Sequence, residues 1–284
     1  MTKIKVSIII VDYKQKEKLF NCLDSIRESK PKSNYEVIVV DNDPTSLSIA
    51  GLQGVTYVKS SRNGGYGYGN NLGAKYAKGE YLLILNPDTR IVKDAIDQLV
   101  KFLDKNKNAG IVAPNLIDIK GKIFRQLSLQ ALTPIRAIFS MSFVNNFFPR
   151  KRDFATNKPL EVEEVPGSAF LIRSEVFEKA GMFDENIFMY FEESDIGKRV
   201  RNLNYKIFVN PKAEVLHYWY QRFDEKRKKI FEKSRFYYFK KHYGILKALI
   251  VEIFCRFSKR HAALVLILIL SLFIMTVTLY YIKK

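Results

Sequence analysis

Cysteine and histidine are scarce in this chain of 284 residues, which contains two cysteines and three histidines. Cys22 and Cys255 lie far apart, and neither belongs to a Cys-x-x-Cys pair, so the sequence argues against a disulfide framework and a zinc site. Low-complexity blocks are absent, and a hydrophobic content of 47% supports a full core. We therefore expect one large α/β domain with an appendage, in a reducing compartment.

A cleavable signal peptide and the usual phosphate-binding motifs are also missing. The apolar run at residues 6–11 is too short for a signal with a cleavage site, so it predicts a buried strand. The glycines at 65, 67 and 69 do not have the spacing of the dinucleotide-binding motif, and no Gly-Lys-Ser/Thr sequence follows them. Residues 63–71 are therefore typical of a flexible turn or of a backbone that a ligand approaches closely.

Negative charge is in short supply, with 29 Asp and Glu against 47 Lys and Arg and a formal charge of +18. Such an excess favours a polyanionic partner, which could be nucleic acid, an anionic bilayer or a phosphorylated substrate. Basic and aromatic residues alternate within 222–257, close to a long apolar run. This adjacency favours an anionic membrane surface, and we expect no nucleic-acid partner.

A long run without charge covers residues 262–282 and has the length of a membrane-spanning helix, with a buried core helix as the alternative. More basic residues precede this run than follow it, which predicts that the preceding residues lie in the cytoplasm. We predict an α/β domain at 1–221, a basic and aromatic membrane-surface segment at 222–260 and a C-terminal transmembrane anchor at 261–284. The expected location is the cytoplasmic (inner) membrane.

Strand-like apolar runs alternate with helical spacing through the first half of the chain. The predicted strands are residues 6–11, 35–40, 55–59 and 81–85, and the predicted helices are residues 16–29, 70–78 and 94–106. This alternation predicts βαβ units and a mostly parallel sheet. Residues 127–148 are apolar, and they form either a flap over the site or a packed helix pair.

Acidic residues follow three of these strands. Asp12 ends the first, Asp41 the second, and Asp88 comes three residues after the run at 81–85, where Pro87 forces the chain out of the sheet. In a parallel sheet these ends meet at one edge, where open α/β sheets bind ligands. A carboxylate there can hold a divalent cation against a diphosphate. Helix caps and turns are the alternative for each aspartate.

Two later groups could also do chemistry. Glu192, Glu193 and Asp195 stand at the start of a helical stretch, where acids favour the helix dipole but could also supply a general base. His217 ends another apolar strand, and it is either structural or a second metal ligand.

Taken in chain order, these clusters resemble glycosyltransferase family 2, which has the GT-A nucleotide-diphospho-sugar transferase fold. The likeness is closest to the branch of bacterial rhamnosyltransferases of surface polysaccharide synthesis. The matching segments are residues 6–13 (VSIIIVDY), 37–42 (VIVVDN), 63–73 (NGGYGYGNNLG), 83–88 (LILNPD), 167–173, 181–184 (GMFD), 188–199 and 211–217. The resemblance implies an α/β fold with a mostly parallel central sheet flanked by helices, and it makes residues 1–221 the catalytic domain.

The resemblance also implies roles for individual residues. Asp88 and His217 would ligate Mg²⁺ or Mn²⁺, and Asn86 stands where the family motif has its first acid. Glu193 matches the position of the catalytic base, with Asp195 and Glu192 as alternatives. The residues implied to bind the donor are Val11, Asp12, Tyr13, Asp41, Asn63, Gly65, Asn70 and Asn86.

The implied activity is an inverting, metal-dependent transfer of a sugar from a nucleotide-diphospho-sugar donor to a lipid-linked saccharide acceptor. Rhamnose is the expected sugar, and UDP-hexoses are close rivals. A carboxylate takes the proton of the acceptor hydroxyl as it attacks the anomeric carbon. A catalytically inactive membrane-associated scaffold with the same fold is the alternative, and a nucleic-acid binder is a further one.

Overall fold

The computed structural model describes residues 3–46, 52–123, 130–142, 158–218 and 224–256. The chain divides into two compact units, one made of Met1–Ala131 with Arg152–Arg235 and the other of Leu132–Lys151 with Phe236–Lys284. The predicted anchor at 261–284 lies outside the described residues. Within the ranges given above, every helix is too short or too polar to cross a membrane.

Strands and helices alternate along the first unit. The strands are β1 (Val6–Asp12), β2 (Tyr35–Asp41), β3 (Val55–Lys59), β4 (Tyr81–Leu85), β5 (Thr89–Val92), β6 (Ala109–Ile117), β7 (Leu160–Val162), β8 (Ala169–Arg173) and β9 (Lys206–His217). The helices of this unit are α1 (Lys16–Glu28), α2 (Gly65–Ala74), α3 (Ala95–Lys105), α5 (Ser174–Lys179) and α6 (Glu192–Asn202). Helices α4 (Pro134–Met141) and α8 (Ile245–Arg256) belong to the second unit, and α7 (Glu225–Tyr243) contributes residues to both.

One sheet organises the first unit, with the strand order β3-β2-β1-β4-β8-β6-β9-β5 and β7 paired to β9. The strands β3, β2, β1 and β4 are parallel. Ile8, Ile9 and Ile10 are all fully buried, so both faces of β1 are covered. This explains why the central strands are continuous apolar runs rather than alternating ones.

The parallel pattern stops at β8, which runs antiparallel between β4 and β6. Strand β9 then pairs parallel with β6 and antiparallel with β5. The second half of the sheet is therefore mixed. The short strand β5 was not predicted, because four residues carry too weak a period to be recognised in the sequence.

Two segment boundaries differ from the sequence predictions. Helix α2 begins at Gly65, although residues 63–71 were predicted as a turn followed by a helix from residue 70. Glycine has a low helix propensity, so the sequence pattern does not predict a helix at 65–69. Packing against neighbouring segments overrides that propensity. Strand β9 ends at His217, as predicted, but its 12 residues begin at Lys206, so it also includes the short strand pattern at 207–209.

The second unit contains a packed helix pair among its described residues. Helix α4 begins after Thr133, whose hydroxyl accepts a hydrogen bond from the N–H of Arg136, and α4 packs against α8. Of the two interpretations of 127–148, the described part therefore fits a packed helix. The residues at 143–148 lie outside the described ranges.

Two aromatic residues of the predicted membrane-surface segment lie in the interior of the second unit. Tyr238 and Phe239 are fully buried, and their rings contact each other. The hydroxyl of Tyr238 donates to the carbonyl of Leu132 within the same unit. These two rings stabilise the second unit and do not present a lipid-facing surface.

Candidate active site

The carboxyl ends of the parallel strands bring the predicted acids to one edge of the sheet. Asp12 and Asp41 are register partners in the β1–β2 pair, and Leu85 at the end of β4 pairs with Ile10. Asp12, Asp41 and Asp88 are at most 4% exposed. Surface caps are seldom buried to this extent, because an ionised carboxylate costs free energy when it leaves water.

Asp88 and His217, which are 129 positions apart in the sequence, meet at this edge. The Nε2 atom of His217 lies 3.4 Å from Oδ1 of Asp88, and both side chains are nearly buried. The β5–β9 pairing causes this approach, since Thr89 is the register partner of His217 and the N–H of Tyr218 donates to the carbonyl of Asp88.

The Asp88–His217 pair suits the implied divalent cation. Carboxylate oxygen and imidazole nitrogen are both ligands of Mn²⁺, and Mg²⁺ is commonly held by one or two protein carboxylates with water and substrate phosphate. No group of three His, Cys, Asp or Glu suitable for a metal occurs within the described part of the chain. A cation here would therefore need ligands from water or a phosphorylated substrate.

Three contacts hold the turn that carries Asp88. The N–H of Asn86 donates to the carbonyl of Ser168 over 2.9 Å. The Thr89 hydroxyl donates to the carbonyl of Asn86, and the Cys22 sulfur lies 3.7 Å from the same carbonyl. Burial raises the pKa of the Cys22 thiol to about 12, so it remains a donor. Cys22 does not stand out in the sequence as a site residue, because its spacing is that of an ordinary helix core position.

Asp41 is occupied by partners from its own chain. Its carboxylate accepts hydrogen bonds from the Tyr57 hydroxyl at 2.6 Å, from Lys59 Nζ at 3.1 Å and from the Ser46 hydroxyl. Burial acts to raise the pKa of Asp41, but the hydrogen bonds from Ser46 and Tyr57 outweigh it, so this pKa lies below its ordinary value. Asp41 thus orders the end of β2 and the residues that follow it as an ionised anchor.

Tyr57 and Lys59 were not recognised from the sequence. They lie two positions apart on β3, so their side chains share one face of the strand. This period of two is the signal that could have placed both on the same side as Asp41.

Asp12 differs from Asp41 because it has few donors. The N–H of Gln15 donates to its Oδ1 over 3.2 Å. Burial raises the pKa of Asp12 to about 6, with the negative charge of Asp41 adding to the effect. Tyr13 follows at the edge and is 42% exposed, and Val11 is half-buried against Gly69 of α2.

The glycines of α2 permit close packing between protein segments. Gly65 has a φ of +91°, and a Cβ on it would lie 2.0 Å from the carbonyl oxygen of Phe188. The N–H of Tyr66 donates to that same oxygen over 2.9 Å. A Cβ on Gly69 would lie 2.6 Å from a methyl group of Val11. These glycines lie in a helix and not in a flexible turn, and they dock α2 against its neighbours, while donor binding at Gly65 stays a prediction.

The asparagines of the same segment bind protein groups. Asn63 Oδ1 accepts from the N–H of Gly65 and from Asn42 Nδ2, and Asn70 Nδ2 donates to the carbonyl of Tyr66. Asn71 makes two hydrogen bonds to the backbone of Phe183, one as donor and one as acceptor. The predicted donor-binding residues Asn63 and Asn70 therefore shape the beginning of α2.

The approach to α6 has unusual backbone geometry. Tyr190 and Phe191 both have φ of 73°, which is the left-handed region that side chains with a Cβ rarely adopt. Such residues cost about 1–3 kcal/mol each and persist where neighbours hold them. The ring of Phe231 packs against both aromatic rings, at 5.5 and 5.0 Å between centroids. This strain sets the direction in which α6 begins.

The three acids of α6 are in different environments. Asp195 is fully buried, and its Oδ2 accepts from Nε and Nη2 of Arg199 at 2.9 and 2.6 Å. This pairing offsets the charge of Asp195 and occupies its Oδ2, and the alternative role of Asp195 as the base stays a prediction. Glu192 is also buried, and burial together with the charge of Glu193 raises its pKa well above the ordinary value.

Glu193 is half-buried and has access to the site. Its Oε2 lies 3.7 Å from the point that a Cβ on Gly167 would occupy, and the Tyr66 hydroxyl lies 3.9 Å from the same point. Burial raises the pKa of Glu193. The Tyr66 hydroxyl donates to the Gly167 carbonyl, and burial with the charges of Glu192 and Glu193 raises the pKa of Tyr66. Tyr66 is therefore a neutral neighbour of this carboxylate, and sequence analysis missed it.

Gly167 and Ser168 connect the two halves of the site. The carbonyl of Ser168 accepts from the Asn86 N–H of the Asp88 turn, while Gly167 lies beside the Glu193 carboxylate. The Asp88–His217 pair and Glu193, the candidate base, are therefore linked through one two-residue segment.

Comparison with known proteins gives consistent results. Residues 7–181 match the family model described as Glycosyl transferase family 2. The chain is 30% identical over 218 residues to the low-salt glycan biosynthesis hexosyltransferase Agl10 of Haloferax volcanii, which covers 75% of this chain and 66% of that protein. It is 29% identical over 149 residues to the N-acetylglucosaminyl-diphospho-decaprenol L-rhamnosyltransferase of Mycobacterium tuberculosis, covering 49% and 47% of the two chains. The match spans about half of the mycobacterial protein.

Solved structures agree on the fold. The crystal structure of GalNAc-T7 with UDP, GalNAc and Mn²⁺ superposes with a TM-score of 0.56 at 17% identity. The superposition covers 76% of this chain and 44% of that one. At this identity the likeness shows the α/β GT-A-like fold, which agrees with the fold predicted from the strand-end motifs.

Gly65→Ala should destabilise the protein strongly, because the new Cβ meets the Phe188 carbonyl. We expect a loss of about 3 kcal/mol or more in the free energy of unfolding, measured by urea denaturation. Gly121→Ala is the matched control, since Gly121 also has positive φ (+72°) but nothing lies within 4 Å of its Cβ position. Equal losses in the two variants would contradict the close-packing role of Gly65.

Asp12→Asn should stabilise the protein near neutral pH. A shift of the carboxyl pKa from 3.8 to about 6 corresponds to roughly 3 kcal/mol. Because the folded-state pKa is raised, the contribution of Asp12 is fully present below pH 3.8 and is lost as the pH rises through about 6. The gain in unfolding free energy of the variant should thus be largest at pH 8 and vanish near pH 4. A pH-independent difference would refute the effect.

Proposed function

The chain belongs to glycosyl transferase family 2, and on this basis we propose that it transfers a sugar from a nucleotide-diphospho-sugar to a lipid-linked saccharide. The observation that carries this proposal is the arrangement around Gly167 and Ser168. The carbonyl of Ser168 accepts a hydrogen bond from Asn86 in the turn of Asp88, and Gly167 lies beside the carboxylate of Glu193. A cation-binding pair and a base on either side of one short segment suit a displacement between a diphosphate and a hydroxyl.

Glu193 is the base in this proposal. Its ionised carboxylate accepts the proton of the acceptor hydroxyl as that oxygen attacks the anomeric carbon. The attack comes from the face opposite the departing diphosphate, so one displacement inverts the anomeric centre. Glu193 suits this role because it is half-buried and makes no side-chain hydrogen bond with another described residue, whereas Asp195 is paired with Arg199.

Asp88 and His217 would hold Mg²⁺ or Mn²⁺. When bound, such a cation neutralises the negative charge of the departing nucleoside diphosphate. The Mn²⁺ and UDP in the GalNAc-T7 structure support this assignment. The nucleotide would lie along the edge formed by Val11, Asp12 and Tyr13, with Asp41 ordering the adjoining loop through Tyr57 and Lys59.

A lipid-linked acceptor fits the relative from Mycobacterium tuberculosis, whose name specifies a diphospho-decaprenol. That relative also supports rhamnose as the transferred sugar, while Agl10 supports a hexose. We place the protein at the cytoplasmic membrane, anchored through residues 261–284 with the catalytic domain on the cytoplasmic side. The formal charge of +18 supports an anionic membrane surface as a partner.

Glu193→Gln should lower kcat by about 10²–10⁴-fold while the affinity for the donor stays unchanged, because the amide cannot accept the proton. Sugar transfer from a panel of nucleotide sugars to a polyprenyl-diphosphate saccharide measures kcat, and donor titration measures affinity. In the wild type, the rate should fall as the pH drops through the raised pKa of Glu193.

Glu192→Gln is the neighbouring control and should retain more activity than Glu193→Gln. Full activity in Glu193→Gln would remove the base assignment. A wild-type protein that binds donors but neither transfers nor hydrolyses them would favour the inactive scaffold.

Asp88→Asn should abolish stabilisation by metal and nucleotide together. We expect UDP with Mn²⁺ to raise the melting temperature of the wild type, because a ligand that binds the native state stabilises it. The variant should lose most of this rise. Asp94→Asn, at an exposed position on the surface, is the control and should behave as the wild type. An undiminished rise in Asp88→Asn would exclude this residue as a metal ligand.

A further inference from the structure

Helix α8 presents an aliphatic face to solvent. Ile245, Leu246, Leu249, Ile250 and Ile253 are all exposed, from 45% for Leu249 to 74% for Leu246. The opposite side of the helix is buried within the second unit, where Ala248 and Val251 are fully inaccessible. The face therefore follows the helical period over the whole length of α8.

Five large aliphatic side chains in less than three turns are too many for an ordinary solvent-facing helix. Single exposed hydrophobic residues are common, but a contiguous group marks a surface that another apolar phase or molecule covers. The other side of α8 is buried, and its charged group is paired within the helix. Its buried Glu252 pairs with Arg256 at 3.0 Å, so that side needs no external partner.

Positive charge surrounds this face. Lys240, Lys241, Lys247 and Arg256 are exposed on or next to α8, and the acid of the helix, Glu252, is buried. Cations beside an aliphatic face match the headgroups and acyl chains of an anionic bilayer. A second copy of the chain would instead bring the same cations together, which costs electrostatic free energy.

The sequence after α8 points to the same occupant. Residues 257–284 lie outside the described part of the chain, and their uncharged run begins at residue 262, six positions after the end of α8. A run of 21 residues without charge favours the hydrocarbon phase. In the proposed membrane setting, a helix that ends six positions before this run reaches the interface of the same bilayer.

We propose that α8 lies in the interface of an anionic bilayer, with its aliphatic face among the acyl chains and its lysines among the headgroups. This inference rests on the membrane setting of the proposed function but not on sugar transfer. It also moves the lipid contact from the aromatic part of α7, where Tyr238 and Phe239 are buried, to the aliphatic side of α8.

Fluorescent labels at single cysteines test the proposal in the full chain. Leu246→Cys and Ile250→Cys are made in a Cys255→Ser background, since Cys22 is fully buried and stays unlabelled. The labelled chains are reconstituted into vesicles that contain phosphatidylglycerol and a lipid with a nitroxide near the top of its acyl chain. Ile119→Cys is the matched control, because Ile119 is 72% exposed in the first unit.

We expect the labels at 246 and 250 to lose most of their emission to the lipid nitroxide and to be shielded from aqueous iodide, with the reverse pattern at 119. Iodide quenching at 246 equal to that at 119 would overturn the proposal. Shielding from both quenchers would also overturn it, because a protein segment or a second copy would then cover the face. Replacing phosphatidylglycerol by phosphatidylcholine should weaken the lipid quenching, and unchanged quenching would refute the anionic requirement.

Sugar transfer on the same vesicles separates this inference from the proposed function. Lipid quenching without transfer would leave the α8 contact standing and count against the enzyme. Transfer without lipid quenching would leave the enzyme standing and remove the α8 contact.

Discussion

The close approach of Gly65 to the carbonyl of Phe188 is the constraint on which the candidate site depends. There is no space for a Cβ at this contact, which brings α2 directly against the segment that leads to Glu193. The hydrogen bond from Tyr66 to Phe188 and those between Asn71 and Phe183 fix the same approach. The glycine-rich helix therefore supports the segment that leads into α6, where Glu193, the proposed base, lies.

The acids of the site are held in two opposite ways. Asp41 and Asp195 have cationic partners in Lys59 and Arg199 and serve as ionised anchors. Among the described residues, Asp12, Glu192 and Glu193 have no salt-bridge partner, and burial raises the pKa of each. Buried acids without cations destabilise a folded protein, and they are expected where a carboxylate must exchange protons or meet a cationic ligand. This loss of stability is concentrated around the candidate active site, where the proposed chemistry occurs.

The sequence pattern predicted the buried strands correctly but did not predict the helix in the glycine-rich segment. The apolar runs ending at Asp12, Asp41 and Leu85 are buried parallel strands, as their composition predicted, because hydrophobic runs of this length have few other solutions. Residues 63–71 were expected to be a flexible turn or a backbone close to a ligand, but α2 begins at Gly65, because packing outweighs the low helix propensity of glycine. The aromatic residues of α7 were expected at a lipid surface, but Tyr238 and Phe239 are buried, since periodicity does not say which partner covers a face.

The sequence by itself determined the family, the fold class and the acids at the edge of the sheet. Parallel strands align their carboxyl ends, so the residues that follow Val11, Val40 and Leu85 had to converge. Only the tertiary structure placed Gly167 beside Glu193, because these residues meet through contacts across the fold, whereas Asp195 and Arg199 pair within one turn of α6. It also decided that His217 meets Asp88, since the β5–β9 register joins residues whose separation along the chain carries no such information.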